Sequence, residues 1–561
     1  MLIRHVWIWA VVLMIAGFSG RHALLGDTAS GDFSAPEPGP SVLYPSESFF
    51  LASDELVERF AGQETSSLAR FYREDDYRLV WTDGQQLGQR GRDLLYVLES
   101  SAEYGLAPAD YLPAQARDDD ESSPAPYTET EIELTQGLLN LAQNIYGGRV
   151  DPSEVRGGWP FEAKRRELSV ELKAAVREHD LDRALKSLEP PHEGYSRLKA
   201  ALAGYRKIAA SGLWKPAPAG PSLKPDMCDQ RVGAVREMLV LLGDHPGRIT
   251  SSGFAPLYKK NDENWELFDD RLESAVKSFQ LRHGIEADGE VGPQTLAALN
   301  VPPEERIVQI ELNMERWRWM PDSLEDRFVW ANIPGYTLEI RNHGRLDLRM
   351  KTVVGIPGMR TPLLKSEMDY LVLNPHWNVP ANIALNELVP EMKDDPNYLK
   401  DRNIRVFDRG AMGSGELSSE EIDWAEVGSD DFNYLLRQDP GPGNSLGRLK
   451  FKFPNPHGVA LHDTPLKTKF EQAYRAQSHG CVRVERPWEL ARYVLQKATD
   501  YDPLEIEWFL SSKGTKKVHL DESLGVYFLY FTSWVDDDGR VQFRNDVYGY
   551  DKDLKRALDE R

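Results

Sequence analysis

The apolar positions change period along the chain. Over residues 45–215 they recur at helical spacing, as in Leu94, Leu95, Val97 and Leu98 and again in Leu134, Leu138, Leu139 and Leu141. The spacing predicts a mostly helical region, broken by a polar, acidic patch at Asp118 to Ser123 and by a turn at Tyr146 to Pro152. A helical stretch from Tyr195 to Ala210 closes it, and the proline-rich run from Lys215 to Pro225 reads as a linker. Val232, Val235, Leu239 and Leu242 then share one helix face, and Leu272, Val276 and Phe279 share another. An Asp288-Gly289 turn and the pair Gly292-Pro293 introduce a third, short helix. From Phe328 the period becomes that of strands. Phe328 to Ile333 and Tyr336 to Ile340 flank Pro334-Gly335, and Asp347 to Val354 follows a His343-Gly344 turn. Residues 384–447 interrupt this pattern and are expected to form a capping insertion. Strand spacing resumes at Leu449 to Phe453 and Val459 to His462. A helix is expected from Pro487 to Lys497, then a strand from Val526 to Val535 with a hairpin turn at Asp538-Gly539.

With 561 residues the chain is too long for one core. The expected fold class is multidomain α+β: a helical domain over 47–215, a proline-rich linker over 216–228, a small three-helix domain over 229–301, and a β-rich sandwich or barrel over 325–550. The formal charge of -22, from 67 basic and 89 acidic residues, argues against nucleic acid as a partner. Arg4 and His5 precede an apolar run from Val6 to Phe18. At ~13 residues it is shorter than the ~20 of a spanning helix, so residues 1–25 read as a signal peptide or membrane anchor, with a linker over 26–46. The bulk of the protein is then expected outside the cytoplasm. The two cysteines, Cys228 and Cys481, lie in segments of different character, so unpaired thiols are expected. Cys228, at the start of a predicted helix, is expected to be buried as a small apolar residue.

The chemistry concentrates in Ser478-His479-Gly480-Cys481-Val482-Arg483, read with His462-Asp463-Thr464-Pro465 upstream. A thiol needs a base to become a nucleophile, and imidazole is the usual one. His462 follows the alternating run Val459-Ala460-Leu461, so a sheet would hold it in place as a base should be held. His479 is expected to shape the loop rather than move a proton, and His457, after Pro456, reads as loop. Gly480 permits unusual dihedrals, letting the amides around Gly480 and Cys481 point at a developing oxyanion. Arg483 could bind a substrate carboxylate or pair with Glu485.

These residues resemble those of the L,D-transpeptidase catalytic domain of YkuD type. Supporting stretches are Val353-Val354-Gly355 with Arg360-Thr361-Pro362, Asn374-Pro375-His376-Trp377-Asn378-Val379-Pro380, and Gly447 to Asn455. The run from Arg271 through Phe279-Gln280 to Asn300 resembles a type 1 peptidoglycan-binding domain, with an unusual insert near Thr250 to Asn264. The whole arrangement is similar to the large YcbB-like subfamily. The resemblance implies a thioester on Cys481 with the diaminopimelate carbonyl of a tetrapeptide stem, loss of D-alanine, and transfer to an amine of a second stem as a 3-3 cross-link. It implies His462 as proton donor and acceptor, with His479, Gly480 and Arg483 in the oxyanion and positioning roles and Trp377 and Asn378 near substrate. A backbone carbonyl beside the base is implied as its orienting partner. The implied partners are peptidoglycan stem peptides and carbapenem-type inhibitors, with no metal and no cofactor, in the periplasm or anchored to the inner membrane. Rival readings are L,D-carboxypeptidase action or protein attachment through the same thioester, a non-catalytic wall-binding scaffold, and a zinc hydrolase using His457, His462, Asp463, His479 and Cys481.

Overall fold

The computed structural model describes residues 54–561 apart from 64, 84–85, 115–126, 247, 251–252, 256–264, 396, 410–414, 429–431, 497–501 and 513. The leader and linker expected over 1–46, the acidic patch at 118–123 and most of the insert at 250–264 lie outside the described residues. Among the described residues no helix is long and apolar enough to cross a membrane.

The N-terminal helices are α1 (Asp54–Phe60), α2 (Ser67–Arg73), α3 (Gln89–Glu99), α4 (Tyr127–Gly147), α5 (Ser169–Glu178), α6 (Leu181–Ser187) and α7 (Glu193–Ser211). Leu94, Leu98, Leu134, Leu138 and Leu141, the positions that carried the helical period, form their shared core with Phe71, Tyr72 and Trp81. One carboxylate lies inside it. Glu131 accepts the amides of Val80, Trp81 and Thr82 at 2.6–2.9 Å and so satisfies a non-helical turn that would otherwise bury unpaired donors.

The three-helix unit is α8 (Arg231–Leu241), α9 (Asp270–Arg282) and α10 (Pro293–Leu299), with a hairpin of β1 (Arg248–Thr250) and β2 (Gly253–Ala255) in the insert. Its motif residues act as internal staples. Buried Gln280 donates to Asp288 Oδ1, Glu290 O and Thr295 Oγ1 and accepts the amide of Gly289. The stretch expected as a proline-rich linker over 216–228 is packed onto this unit. Ala217 and Leu223 are in its core, Ala217 exchanges hydrogen bonds with Asn300, and Leu223 pairs with Val291. Prolines set the backbone there, but these two apolar side chains decide where it lies. Cys228 is exposed, bridged to Leu267 in extended backbone ahead of the helix, contrary to the burial expected of it; both cysteines are free.

Helix α11 (Pro303–Arg318) falls between the two units read from the sequence, and its C-terminal half is buried. Its apolar residues Ile310, Met314 and Trp317 join the core of the β-rich domain together with Tyr195, Leu198 and Leu202 of α7. Its polar residues are buried in pairs: Glu315 with Arg318 at 2.9 Å, Arg316 with Asp551 at 2.6 Å, and Asn313 with Thr532 at 2.8 Å. Helices α7 and α11 therefore belong to the core of the β-rich domain, while the earlier N-terminal helices keep a core of their own.

The β-rich domain contains β3 (Arg327–Asn332), β4 (Thr337–Asn342), β5 (Arg345–Gly355), β6 (Leu364–Leu373), β7 (Trp377–Asn378), β8 (Ile404–Asp408), β9 (Glu416–Leu417), β10 (Tyr434–Gln438), β11 (Leu449–Lys452), β12 (Leu461–His462), β13 (Ala476–Ser478), β14 (Val482–Val484), β15 (Lys516–Leu529), β16 (Ser533–Val535) and β17 (Val541–Phe543). The main sheet runs β13-β5-β14-β12-β11-β6-β15-β3-β4, and β4 also pairs with β5, so the pairing closes on itself. That is a barrel rather than a sandwich. The second sheet, β7-β10-β8-β9, belongs to the cap and has its own apolar core of Val379, Ile383, Leu388, Val406 and Leu436 among others. The capping excursion expected over 384–447 thus begins earlier, at Trp377, because β7 must pair with β10 to complete the cap sheet.

Candidate active site

The short strand β12 decides the site. It lies between β11 and β14, with Lys450 opposite His462 on one side and Arg483 opposite His462 on the other. Leu461, Val482 and Val484 are fully buried in the barrel core. Strand alternation therefore turns Lys450, His462 and Arg483 onto the other face, in a row across three strands. Cys481 stands two residues before Arg483 and shares that face. Its thiol is close enough to act electrostatically on both Arg483 and Lys450.

His462 is buried, with only 4% of its surface exposed. Its Nδ1 is 2.5 Å from the backbone oxygen of Asp463. A carbonyl only accepts, so Nδ1 carries the proton and Nε2 carries the lone pair. Burial, then the neighbouring Arg483 guanidinium, pushes the His462 pKa down from 6.5 to about 3, the Asp463 carbonyl opposing in part. The resting imidazole is neutral. Desolvation lowers the pKa values of Lys450 and Arg483 as well.

Asp463 contributes its carbonyl to the histidine and uses its carboxylate elsewhere. Oδ2 accepts the amide of Arg448, and Oδ1 accepts from Thr464 N and Lys467 Nζ. This fixes the turn after β12. Gly447 has φ +61, and a Cβ there would stand 2.4 Å from the Asp463 carboxyl, so only glycine lets the two segments approach.

The loop carrying Cys481 is tied from below. Gly480 has φ +107, and a Cβ would meet Arg360 O at 3.3 Å. Thr361 Oγ1 donates to Gly480 O at 2.8 Å and accepts the amide of Gly355. Tyr548, near the C-terminus, accepts the amide of Thr361 and donates to Gly355 O. Ser478 Oγ donates to Cys481 O at 2.6 Å and accepts the amide of Gly480 at 3.2 Å. The Gly480 amide is thereby engaged, which leaves the amides of His479 and Cys481 from the set expected to face an oxyanion.

His479 is engaged by the cap. Its Nε2 pairs with Glu387 of the cap. Arg483 makes no pair with Glu485, whose carboxylate accepts the amide of Lys351. Instead Nε and Nη1 of Arg483 are buried with no hydrogen-bond partner among the described residues. Trp377 and Asn378 pair with Gln438 and Arg437 in the cap sheet, Trp377 half-buried against the cap core and Asn378 exposed. His457 is exposed in the turn before β12. Among the described residues no three His, Cys, Asp or Glu side chains group as metal ligands.

Sequence reasoning assigned no role to Lys450, Thr361, Tyr548 or Glu387. Lys450 carried one signal, an outward position in an alternating strand next to the motif. Glu387 carried none.

This barrel, with a cysteine loop and a sheet-held histidine, is of a known class. Residues 326–517 match the model of the YkuD L,D-transpeptidase catalytic domain, residues 229–299 that of a "Putative peptidoglycan binding domain", and residues 66–202 that of a scaffold domain. The chain carries an L,D-transpeptidase catalytic domain beside a peptidoglycan-binding domain. A Haemophilus influenzae protein named "Putative L,D-transpeptidase" is 33% identical over 292 residues, which is 51% of this chain and 58% of that protein, so less than two thirds of the relative is spanned. Among solved structures, an L,D-transpeptidase from Mycobacterium smegmatis is 14% identical over 36% of this chain and 58% of its own, with a TM-score of 0.16. One from Stackebrandtia nassauensis is 14% identical over 55% of this chain and 97% of its own, with a TM-score of 0.21.

Proposed function

We propose that the chain is a cysteine-dependent peptidoglycan L,D-transpeptidase. The observation that carries this reading is the row Lys450–His462–Arg483 with Cys481 on the same face, and His462 locked by the Asp463 carbonyl with Nε2 as its basic nitrogen. Because the imidazole rests neutral, it can take the thiol proton as attack begins rather than store it beforehand. The Cys481 sulfur adds to the carbonyl of diaminopimelate in a tetrapeptide stem. The charge on the carbonyl oxygen is met by the amides of His479 and Cys481 and by the nearby guanidinium of Arg483. The carbon–nitrogen bond to D-alanine then breaks, and His462 returns its proton to the leaving amine. A neutral amine of a second stem attacks the thioester, gives a proton to His462 and displaces the thiol, forming a 3-3 cross-link.

The two unpartnered nitrogens of Arg483 suit a substrate carboxylate, which would supply the missing acceptors. Trp377 and Asn378, in the first strand of the cap sheet, would border the stem. A carbapenem would acylate the same thiol through its lactam carbonyl. The substrate lies outside the cytoplasm, and an N-terminal signal or inner-membrane anchor would place the enzyme in the periplasm. Incubation with disaccharide tetrapeptides and mass analysis of protein and products tests the reading. A +acyl adduct on Cys481 with cross-linked dimers is expected. Tripeptides alone would assign a carboxypeptidase, protein conjugates would assign attachment, and no adduct would refute the thioester.

A further inference from the structure

The cap and the nucleophile loop meet through a carboxylate–imidazole hydrogen bond that the proposed chemistry does not use. Glu387 lies in the π-helical turn Ala384–Leu388, within a helical run over 381–394. Ala384 and Leu388 of that turn are buried in the cap core, which leaves Glu387 on the outward side. A π-helical turn re-aims side chains by inserting a residue and is often found at functional sites. Here the re-aimed carboxylate reaches His479 Nε2, two residues from Cys481. Its charge also acts on Arg483. Among the described residues this is the one side-chain pairing of a carboxylate with a basic group between the cap and the loop 478–483. The cap and the barrel have separate apolar cores, so little apolar packing is shared that could fix one against the other.

We propose that Glu387 is a positioning residue: it holds the cap against the nucleophile loop through His479, and so sets the amides of His479 and Cys481 that would face the oxyanion. The inference rests on the transpeptidase reading. The loop is already held on its other side by the Thr361 hydroxyl on Gly480 O and by Ser478 on Cys481 O. Glu387 supplies the only described side-chain hydrogen bond to His479, so without it the His479 end of the loop loses its tie to the cap. A half-exposed pair alone is worth a fewfold effect, whereas misplacing an oxyanion donor costs more, so a loss of about tenfold is expected.

The test compares two reactions of the same thiol in the full chain. Acylation by imipenem passes through an oxyanion, while alkylation by iodoacetamide does not. In Glu387→Ala and Glu387→Gln, the acylation rate at saturating imipenem should fall about tenfold, with alkylation unchanged or faster. Glu387→Asp should recover most of the loss. Because both residues act through one contact, Glu387→Ala/His479→Ala should be no slower than the slower single variant. The glutamine variant keeps the side-chain volume and guards against a folding defect. Wild-type acylation rates in both Glu387 variants, or losses that multiply in the double variant, would overturn the inference while leaving the thioester reading intact. Failure of the wild type to form an adduct on Cys481 would bring both down.

Discussion

The neutrality of His462 sets a pH dependence that can be worked out from its environment. The ordinary histidine pKa is 6.5, and burial beside Arg483 takes it to about 3 in the folded protein. Protons therefore prefer the unfolded chain. The stability contribution of the neutral ring is whole above pH 6.5 and is lost as pH falls from there toward 3. Between pH 7.5 and pH 5.0 the loss is about 2 kcal/mol, since each unit below the unfolded pKa costs ~1.4 kcal/mol until the folded group itself titrates. Any folded pKa below about 4 produces the same figure at pH 5.0, so the result does not hang on the last unit. His283, His192, His245 and His376 are lowered too, chiefly by burial, and add slopes of their own. The measurement must then be a difference between the wild type and His462→Gln. Urea denaturation of each protein at both pH values, followed by a fluorophore on the barrel, supplies it. The wild type should lose about 2 kcal/mol more than the variant. A differential below about 0.5 kcal/mol would mean that His462 is protonated or solvated in the folded protein, and the account of a neutral general base would fail.

Other expectations follow from the same geometry. Cys481→Ala should form no acyl adduct by intact-mass analysis while keeping the wild-type circular dichroism spectrum; an adduct would reassign the nucleophile. His462→Ala should slow acylation by about a hundredfold or more, the range of general-base loss, and His479→Ala by much less; equal losses would mean the base is misassigned. Gly480→Ala forces an L side chain to φ +107 and against Arg360 O, so a strain on the order of 1–3 kcal/mol should appear as lower stability and slower acylation. Glu315→Gln should cost about 3–5 kcal/mol by thermal or urea unfolding, because Arg318 is left charged in a core where both partners are at most 2% exposed.

The pattern of the candidate site was legible before folding. A glycine beside a cysteine, a histidine at the end of an alternating strand and an arginine two residues beyond the thiol are local patterns, and short-range spacing carries them. The staple around Gln280 was visible as wording but not as function, because its partners at Asp288, Glu290 and Thr295 meet only when the turn closes. The packed state of 216–228 was hidden because proline content describes backbone freedom and is silent on what Ala217 and Leu223 bury against. Helix α11 was hidden for a related reason. Its Glu315, Arg316 and Arg318 look like a solvated face, and only their pairing with each other and with Asp551 and Tyr195 makes burial tolerable.

By itself, then, the sequence determined the kinds of group present and the local periods that place them: helical region, three-helix unit, strands, cysteine loop. Tertiary structure decided their state. Strand register brought Lys450, His462 and Arg483 into one row, burial made the histidine neutral, and the helical run of the cap carried Glu387 to His479. Register and burial are set by segments far apart in the chain, and each depends on how all the others have packed. The charge state of an active-site group is a property of that assembled environment, and no local spacing encodes it.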